Sequence, residues 1–307
     1  MRPAGSGIIR LAMAAPLPSP TLPPVVTPEE LAGFERNGFA GPFTALPREA
    51  AAERHPIVTR ALLEPSPVYG FPTARDHHLD CRTLFEICSH PAIVERVAAL
   101  LGPDLLLWRS TIFRKLPGGG RVIWHQEHDF RGHRGTPALD PPRNITAWFA
   151  FTAAHRGNGC VELFPASHHA LLVRRPVARG RGIFGHDYEF ENLPDGPPLA
   201  METEPGQFFL FNERIVHGSA PNESASERCG ISIRFTTTST RIHQGMRVDG
   251  QGLPLRRWHA VLVRGRDGYG HNKLGPPPGR DFHPMSRPRV ALGALRHRWL
   301  RARYGTR

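Results

Sequence analysis

The sequence predicts an all-β sandwich or barrel with flanking helices, and three observations lead to that prediction. Short apolar or alternating runs follow one another through the middle of the chain, separated by clusters of glycine, proline or asparagine. Such runs are typical of short strands joined by turns. The 31 glycines and 32 prolines supply many turns but stay below the disordered or collagen-like range. The length of 307 residues suits one or two domains.

The first flanking helix is predicted to begin at Thr27. Thr27 can cap the helix, Pro28 suits the first helical position, and Glu30 completes a capping box. The apolar face of this helix is formed by Leu31, Phe34 and Phe39.

A second helix is predicted from about Pro91 to Leu101. Its apolar residues keep helical spacing, and Gly102 is placed to end it.

After Gly102 the helical spacing of apolar residues gives way to short apolar or alternating runs, and the predicted strands begin there. These strands are Leu105–Phe113, Asn144–Phe151, Cys160–Phe164, Gln207–Asn212 and Ile231–Thr238. No fixed-period repeat accompanies them. The stretch Val173–Ala200 has little periodicity and is too long for a tight turn, so we expect a functional lid or an insertion there.

The ends of the chain differ from its centre. Residues 1–26 are rich in proline and alanine, which predicts a disordered N-terminal arm. The folded domain is expected to span residues 27–275. Residues 276–307 are predicted to form a peripheral basic segment, with a short helix near Ala291–Tyr304.

The net charge of +12 does not indicate nucleic-acid binding. Of the 39 basic residues, 37 are arginines, and they are scattered except between Arg287 and Arg307. The sequence also lacks the aromatic and finger motifs of nucleic-acid readers. An anionic substrate or an acidic protein partner is at least as consistent with this charge.

The sequence predicts a cytoplasmic protein. No run approaches the roughly 18 apolar residues of a membrane helix. The most apolar N-terminal stretch, Ile8–Leu17, is interrupted by Arg10 and followed by prolines, unlike a signal peptide. The four cysteines show no zinc spacing, so we expect reduced and mostly buried thiols. Nothing indicates an oligomeric state.

Seventeen histidines make metal binding the first chemistry to test. Two histidines and a carboxylate on one face can hold non-haem Fe(II) and leave open positions. Two His-x-Asp/Glu triplets occur, one beginning at His78 and the other being His125-Gln126-Glu127. The second follows the short apolar run Val122–Trp124, and residues two apart on a strand share a face. His217 follows another predicted strand and is the candidate for the second histidine.

Over about residues 27–275 the chain resembles a known family, the phytanoyl-CoA dioxygenase-like Fe(II)/2-oxoglutarate oxygenases. The matching blocks occur in the family's order. They are Trp124–Glu127, Asn144–Phe151, Asn158–His168, Gly206–Phe211 and His217–Asn222. A finer likeness is to the branch of aliphatic halogenases and hydroxylases that often act on carrier-protein-tethered amino acids. That likeness rests on Phe34–Phe43, Phe211–Arg214 and Val261–Asp267.

The resemblance implies a double-stranded β-helix, the jelly roll of cupin-like proteins, and a set of site residues. His125, Glu127 and His217 match the positions that bind Fe(II). Arg228 matches the arginine that pairs with the distal carboxylate of 2-oxoglutarate, and Trp148 matches a pocket tryptophan. O2 is the second co-substrate. Arg234 is an alternative to Arg228, and Asp129 an alternative to Glu127 that has the wrong parity for the same strand face.

Glu127 departs from the pattern, because most members carry aspartate there. Halogenases of the branch carry alanine or glycine, which frees a position for chloride, so a carboxylate favours hydroxylation. The resemblance implies hydroxylation of a small metabolite or a carrier-tethered amino acid in secondary metabolism. The alternatives are a halogenase, a desaturase or epimerase, and a non-catalytic jelly-roll binding protein. The pocket segment Arg174–Pro198 carries no readable code for the substrate.

Overall fold

The computed structural model describes residues 26–127, 138–176, 188–243, 247–248, 251–252 and 257–282. The predicted N-terminal arm, the predicted helix near Ala291–Tyr304, the alternative ligand Asp129 and the middle of the expected lid lie outside the described residues.

Both predicted helices are confirmed, and two helices that the sequence did not reveal join them. The helices are α1 (Pro28–Asn37), α2 (Arg48–Leu63), α3 (Arg82–Cys88) and α4 (Pro91–Leu101). The capping box between Thr27 and Glu30 is present at the start of α1. Helix α2 escaped notice because Pro56 lies inside it and its buried face carries mainly small residues.

Short strands make up most of the remaining described chain. In chain order they are β1 (Phe39–Thr44), β2 (Leu105–Lys115), β3 (Val122–His125), β4 (Leu139–Asp140), β5 (Ile145–Ala150), β6 (Val161–Leu163), β7 (Arg174–Pro176), β8 (Tyr188–Phe190), β9 (Leu199–Met201), β10 (Gln207–Asn212), β11 (His217–Ser219), β12 (Arg228–Thr237), β13 (Arg241–Ile242), β14 (Arg247–Val248), β15 (Gln251–Gly252) and β16 (Val261–Arg264). All five predicted strands are present, with ends that shift by up to three residues.

Ten of these strands build two antiparallel sheets that face each other, and the other six form the two-stranded pairs β4-β13, β7-β8 and β14-β15. The larger sheet has the order β1-β10-β5-β12-β2-β16, and the smaller has the order β3-β11-β6-β9. Between them, Trp148 and Phe209 of the larger sheet pack with Val161, Leu163 and Met201 of the smaller. This is the predicted all-β core with flanking helices, a double-stranded β-helix or jelly roll.

The alternation along β12 shows how the larger sheet separates core from site. Cys229, Ile231, Ile233 and Phe235 point outward into a core that also contains residues of α2, α3 and α4. The intervening residues point between the two sheets and include three polar side chains that line one cavity, namely Arg228, Ser232 and Arg234. Because side chains alternate along a strand, the apolar helices lie on one face of the sheet and a polar interior on the other.

All four cysteines are buried and free, as the sequence predicts. None of the helices in the described ranges has the length and apolar character that crossing a bilayer requires.

Candidate metal centre

His125 and His217 meet across the smaller sheet. They are register partners in the antiparallel pair β3 and β11, and their ring centroids lie 4.1 Å apart. His125 is the last residue of β3 and His217 is the first of β11. The fold therefore brings together two histidines that are 92 positions apart in the chain.

The two imidazoles are fixed in the same way. His125 Nδ1 hydrogen-bonds to the Ile123 carbonyl at 2.8 Å, and His217 Nδ1 to the Ile215 carbonyl at 3.0 Å. A proton on Nδ1 leaves Nε2 as the nitrogen that can bind a metal. Burial, and next the neighbouring His125, lower the pKa of His217 to about 3. The ring is neutral at physiological pH, which is the form that binds metal.

Glu127 lies beside this pair in a buried network of donors. Its Oε2 accepts hydrogen bonds from Arg234 Nε at 2.8 Å, Thr146 Oγ1 at 2.7 Å and Asn144 Nδ2 at 3.2 Å. Its Oε1 accepts one from Arg234 Nη2 at 2.6 Å. Burial by itself raises the pKa of Glu127, but the charge and hydrogen bonds of Arg234 outweigh it and bring the pKa to about 2. The group is a carboxylate at all physiological pH values.

The types of donor at this place suit a divalent metal. Glu127 Oε1 lies 4.0 Å from His217 Nε2. A carboxylate has about four acceptor positions, and Oε1 uses one of its two for Arg234. Two imidazole nitrogens and a carboxylate oxygen form the donor set that suits non-haem Fe(II).

Arg228 and Trp148 line the same cavity as the two histidines and Glu127. Arg228 is 1% exposed and donates to the Gly159 carbonyl from Nε at 3.1 Å and Nη2 at 2.7 Å. Its guanidinium carbon lies 5.4 Å from the centre of the Trp148 ring. Burial lowers the pKa of Arg228 to about 10, so the group remains charged.

Lys115 is a second buried cation here, and the sequence reading missed it. Its Nζ donates to Ser219 Oγ at 2.7 Å and to the Ala220 carbonyl, while Arg228 Nη2 lies 3.4 Å from the same hydroxyl. Burial, and next the charge of Arg228, lower the pKa of Lys115 to about 7. Neither cation has an ion pair with a carboxylate in the described part of the chain. Two cations that share one hydroxyl favour the binding of an anion.

Two glycines make room for this cluster. Gly159 has φ +72°, and a Cβ there would lie 2.3 Å from the Ala220 carbonyl oxygen. A Cβ at Gly230 would lie 2.3 Å from the Trp148 ring. A side chain at either position would displace the groups that surround Arg228.

The structure gives Arg234 a different binding partner from the one that the sequence suggested. It was the alternative anchor for 2-oxoglutarate, but its guanidinium forms a bidentate ion pair with Glu127. The signal was present in the alternation of β12, where Arg228 and Arg234 are six residues apart and so share a face. Alternation along β5 likewise places Thr146 on the face that points between the two sheets.

The other histidines singled out in the sequence lie elsewhere. His78 is fully buried and hydrogen-bonds to Ser110 Oγ at 2.8 Å. The His168 and His169 rings hydrogen-bond to carbonyls at the end of α1, those of Glu35 and Arg36.

A second group of metal-ligand types, formed by His55, Glu227 and Cys229, is an ion-pair network. Glu227 binds Arg114 through both oxygens at 2.9 and 2.7 Å and His55 at 2.8 Å. Burial raises the pKa of Cys229 to about 12, so the thiol is protonated. The carboxylate is already neutralised and the thiol is not a thiolate, which disfavours a metal here.

Comparison with known proteins identifies the family of the chain. The model of the phytanoyl-CoA dioxygenase (PhyH) family matches residues 34–230, most of the described domain. The chain belongs to the phytanoyl-CoA dioxygenase family. Fe(II) and 2-oxoglutarate, the cofactors that the sequence predicts, are those of this family.

Three similar proteins illustrate the membership. A probable phytanoyl-CoA dioxygenase of Caenorhabditis elegans is 26% identical over 167 residues, covering 51% of each chain. A methylphosphonate hydroxylase of Gimesia maris is 29% identical over 151 residues, covering 49% of this chain and 52% of its own. The structure of CytC3 with Fe(II) and α-ketoglutarate is 30% identical, covers 85% of this chain and 97% of its own, and has a TM-score of 0.67. The chain spans about half the length of the curated relatives it matches.

Replacing Arg234 with methionine is expected to destabilise this family member strongly. The substitution leaves the buried Glu127 carboxylate without its charged partner, which costs about 3–5 kcal/mol. Urea unfolding of the metal-free protein measures the loss, and the double variant Glu127→Gln/Arg234→Met should recover part of it. Equal stabilities of the wild type and Arg234→Met would contradict the role of the pair.

The same ion pair predicts an acid-sensitive component of stability. The pKa of Glu127 is about 2 in the folded protein and its ordinary value is 4.5. A depressed pKa contributes stability above the unfolded value, and that contribution is lost as the pH falls from 4.5 towards 2. The Arg234→Met variant should show a smaller loss over this window in urea unfolding at stepped pH.

Proposed function

We propose that this protein is an Fe(II)- and 2-oxoglutarate-dependent dioxygenase that hydroxylates an aliphatic C–H bond. The observation that carries the proposal is one buried cavity that joins His125, His217 and Glu127 to Arg228. Bound iron supplies the activation of O2 that such an oxidation needs. The protein supplies the ligands, the charges and the exclusion of water.

The two histidines and Glu127 are proposed to hold the iron. The backbone carbonyls of Ile123 and Ile215 fix the imidazole rings before the metal arrives. Arg234, Thr146 and Asn144 hold the Glu127 carboxylate, so the side chain requires little reorganisation on binding. Such outer contacts orient the ligands of a metal and tune their strength.

Arg228, with Lys115 beside it, is proposed to bind the distal carboxylate of 2-oxoglutarate. A guanidinium presents a planar fork that matches a carboxylate. The pair carries positive charge in a buried place and has no carboxylate partner among the described residues. Trp148 forms an apolar wall against the guanidinium and suits the methylene groups of the co-substrate.

Substituting Arg228 is expected to weaken 2-oxoglutarate binding. Arg228→Met removes a buried charge partner of the co-substrate, which costs about 3 kcal/mol or more and corresponds to a rise of over 100-fold in its dissociation constant. Calorimetry with Fe(II) in the absence of oxygen measures it. The matched control is Arg156→Met, an exposed arginine paired with Glu162. A normal affinity in Arg228→Met would show that another group binds the carboxylate.

The proposed substrate is a small metabolite, free or presented on an acidic carrier protein, in secondary metabolism, and the proposed location is the cytoplasm. The high positive charge supports an anionic ligand or partner. A screen for succinate release against free and carrier-bound amino acids and small acids tests this. Succinate release that depends on one class of compound identifies the substrate class.

Halogenation is the second candidate, and the bidentate Arg234–Glu127 pair is the observation that favours it. Iron has to share the Glu127 carboxylate with Arg234, and a halide that takes the position of the carboxylate on the metal would leave the ion pair with Arg234 intact. A non-catalytic jelly roll is a third candidate. Titration with Fe(II) and 2-oxoglutarate, read by the visible absorption band of their complex, separates an enzyme from such a binding protein.

A further inference from the structure

Strand β2 contains a bulge that turns an additional side chain towards the metal centre. Its pairing with β12 runs from Arg234 opposite Arg109 to Phe235 opposite Leu107, so Trp108 is an extra residue. A bulge of this kind places two successive side chains on the same face of the sheet, and such bulges are frequent beside active sites.

Contacts on both sides of the bulge show that this face is the inner one. Thr111 accepts a hydrogen bond from Arg234 Nη1 at 3.3 Å, and Arg109 is two residues before it on the strand. Trp108 Nε1 donates to Asn144 Oδ1 at 2.8 Å, and Asn144 in turn donates to Glu127. The side chains of Trp108 and Arg109 therefore both lie on the side of the proposed iron ligands.

Arg109 is buried there without a hydrogen-bond or ion-pair partner among the described residues. It is 3% exposed, and its Nη1 has no hydrogen bond. No ion pair joins it to a carboxylate within the described ranges. A buried charge without a partner is costly, and proteins keep such groups where a ligand completes them.

Asp76 is a buried carboxylate on the same part of the chain, and it is already engaged. Burial and Asp76 raise the pKa of Tyr69, and the charge of Arg109 opposes them. Asp76 accepts the Tyr69 hydroxyl at 2.5 Å through Oδ2 and the Ser110 amide at 3.0 Å through Oδ1. Asp76 thus uses both oxygens for neutral donors.

Trp108, the neighbour of Arg109 on the inner face, belongs to a cluster rich in aromatic side chains. Trp108, Tyr69, Phe71 and Trp258 belong to one buried cluster. The Nε1 of Trp258 is also buried without a hydrogen-bond partner. An apolar wall with one cation and an unused donor is the usual composition of a site for a small organic anion.

We propose that Arg109 binds an anionic group of the substrate, a carboxylate or a phosphonate, and thereby sets which carbon faces the iron. The inference rests on the proposed function and adds the chemical class of the substrate. It favours a free acid over a carrier-bound acyl group, because a thioester carbonyl has no charge for Arg109 to pair with.

Binding measurements on the protein with Fe(II) and saturating 2-oxoglutarate, without oxygen, test the proposal. The probes are propionate, butanoate, methylphosphonate and ethylphosphonate, with propionamide and butanamide as neutral matches. The expected result is at least tenfold tighter binding of one of the anion classes than of the amides, and loss of that preference in Arg109→Gln. Equal binding of acids and amides, or a preference that survives Arg109→Gln, overturns it. The carboxylate and phosphonate series distinguish the two sources of charge.

Stability provides an independent readout. A ligand-binding arginine without a partner destabilises the ligand-free fold, so Arg109→Met should raise the midpoint of thermal unfolding. The matched control is Arg96→Met, which removes a buried arginine that donates to the Ala92 carbonyl at 3.0 Å and stacks on Phe43. This variant should lower the midpoint and leave anion binding unchanged. A fall in the midpoint for Arg109→Met, or a failure to fold, would show a structural role and overturn the proposal.

The failure of this inference is separable from that of the proposed function. If the visible band of the iron and 2-oxoglutarate complex forms and the anion preference is absent, only the role of Arg109 is wrong. If the band does not form, the proposed function fails first.

Discussion

His217→Ala is expected to abolish iron binding and turnover, and His125→Ala to do the same. Each substitution removes one of two nitrogen ligands, leaving a single imidazole and a carboxylate that is already shared with Arg234. Loss of an outer contact to a ligand costs about 10–100-fold in metal affinity, so loss of the ligand itself should exceed 100-fold. Anaerobic titration with Fe(II), read by calorimetry, measures affinity, and succinate release measures turnover.

The control for these variants is His169→Ala. The His169 side chain is exposed and hydrogen-bonds to the Arg36 carbonyl at the end of α1, away from the centre. His78→Ala is a poorer control, because His78 is buried in the interior and its truncation also leaves a cavity. Iron affinity in His125→Ala equal to that of His169→Ala would remove the assignment of the centre.

The five predicted strands and both predicted helices could be found from the sequence because their signals are local. A short apolar run indicated β5, alternation indicated β12, and Thr27 with Glu30 indicated the start of α1. The proposed ligands followed from a resemblance whose blocks fix the order of the strands. The signals for the helices and strands depend on neighbours within about ten residues.

Contacts between the two sheets could not be predicted from such local signals. The pairing of Arg234 with Glu127 depends on how residues 107 positions apart meet, and no local pattern encodes that distance. Lys115 was missed for the same reason, since its partners Ser219 and Ala220 lie on the other sheet or just beyond it. Counted back from Thr111, strict alternation would have assigned Trp108 to the outer face, whereas the bulge places it beside Arg109 on the inner one.

The interior of the jelly roll carries more basic groups than the proposed metal centre by itself would need. Arg228, Lys115, Arg234 and Arg109 all face it, and among these four only Arg234 forms an ion pair with a carboxylate, that of Glu127, in the described ranges. A divalent cation adds further positive charge. The balance requires anions from outside the chain, and the proposed co-substrate and substrate would supply them.

The last expected result concerns the product and rests on Glu127. A halide can be transferred only if it takes the position that a third protein ligand otherwise fills. The Glu127 carboxylate opposes a halide both by occupying space and by its charge, and the pKa of about 2 keeps that charge at every working pH. The wild type should therefore give hydroxylated product even in buffer with high chloride or bromide.

Variants at Glu127 decide between this reading and halogenation. Glu127→Asp should keep part of the hydroxylation, because the ligand type survives at a shorter reach. Glu127→Gly should lose hydroxylation, and it also leaves the Arg234 guanidinium buried without its carboxylate, so a halide gains a cationic partner beside the iron. The double variant Glu127→Gly/Arg234→Met should lose that halide binding again. Mass spectrometry of the products in chloride or bromide buffer reads the outcome, and a halogen isotope pattern from the wild type would place the enzyme among the halogenases.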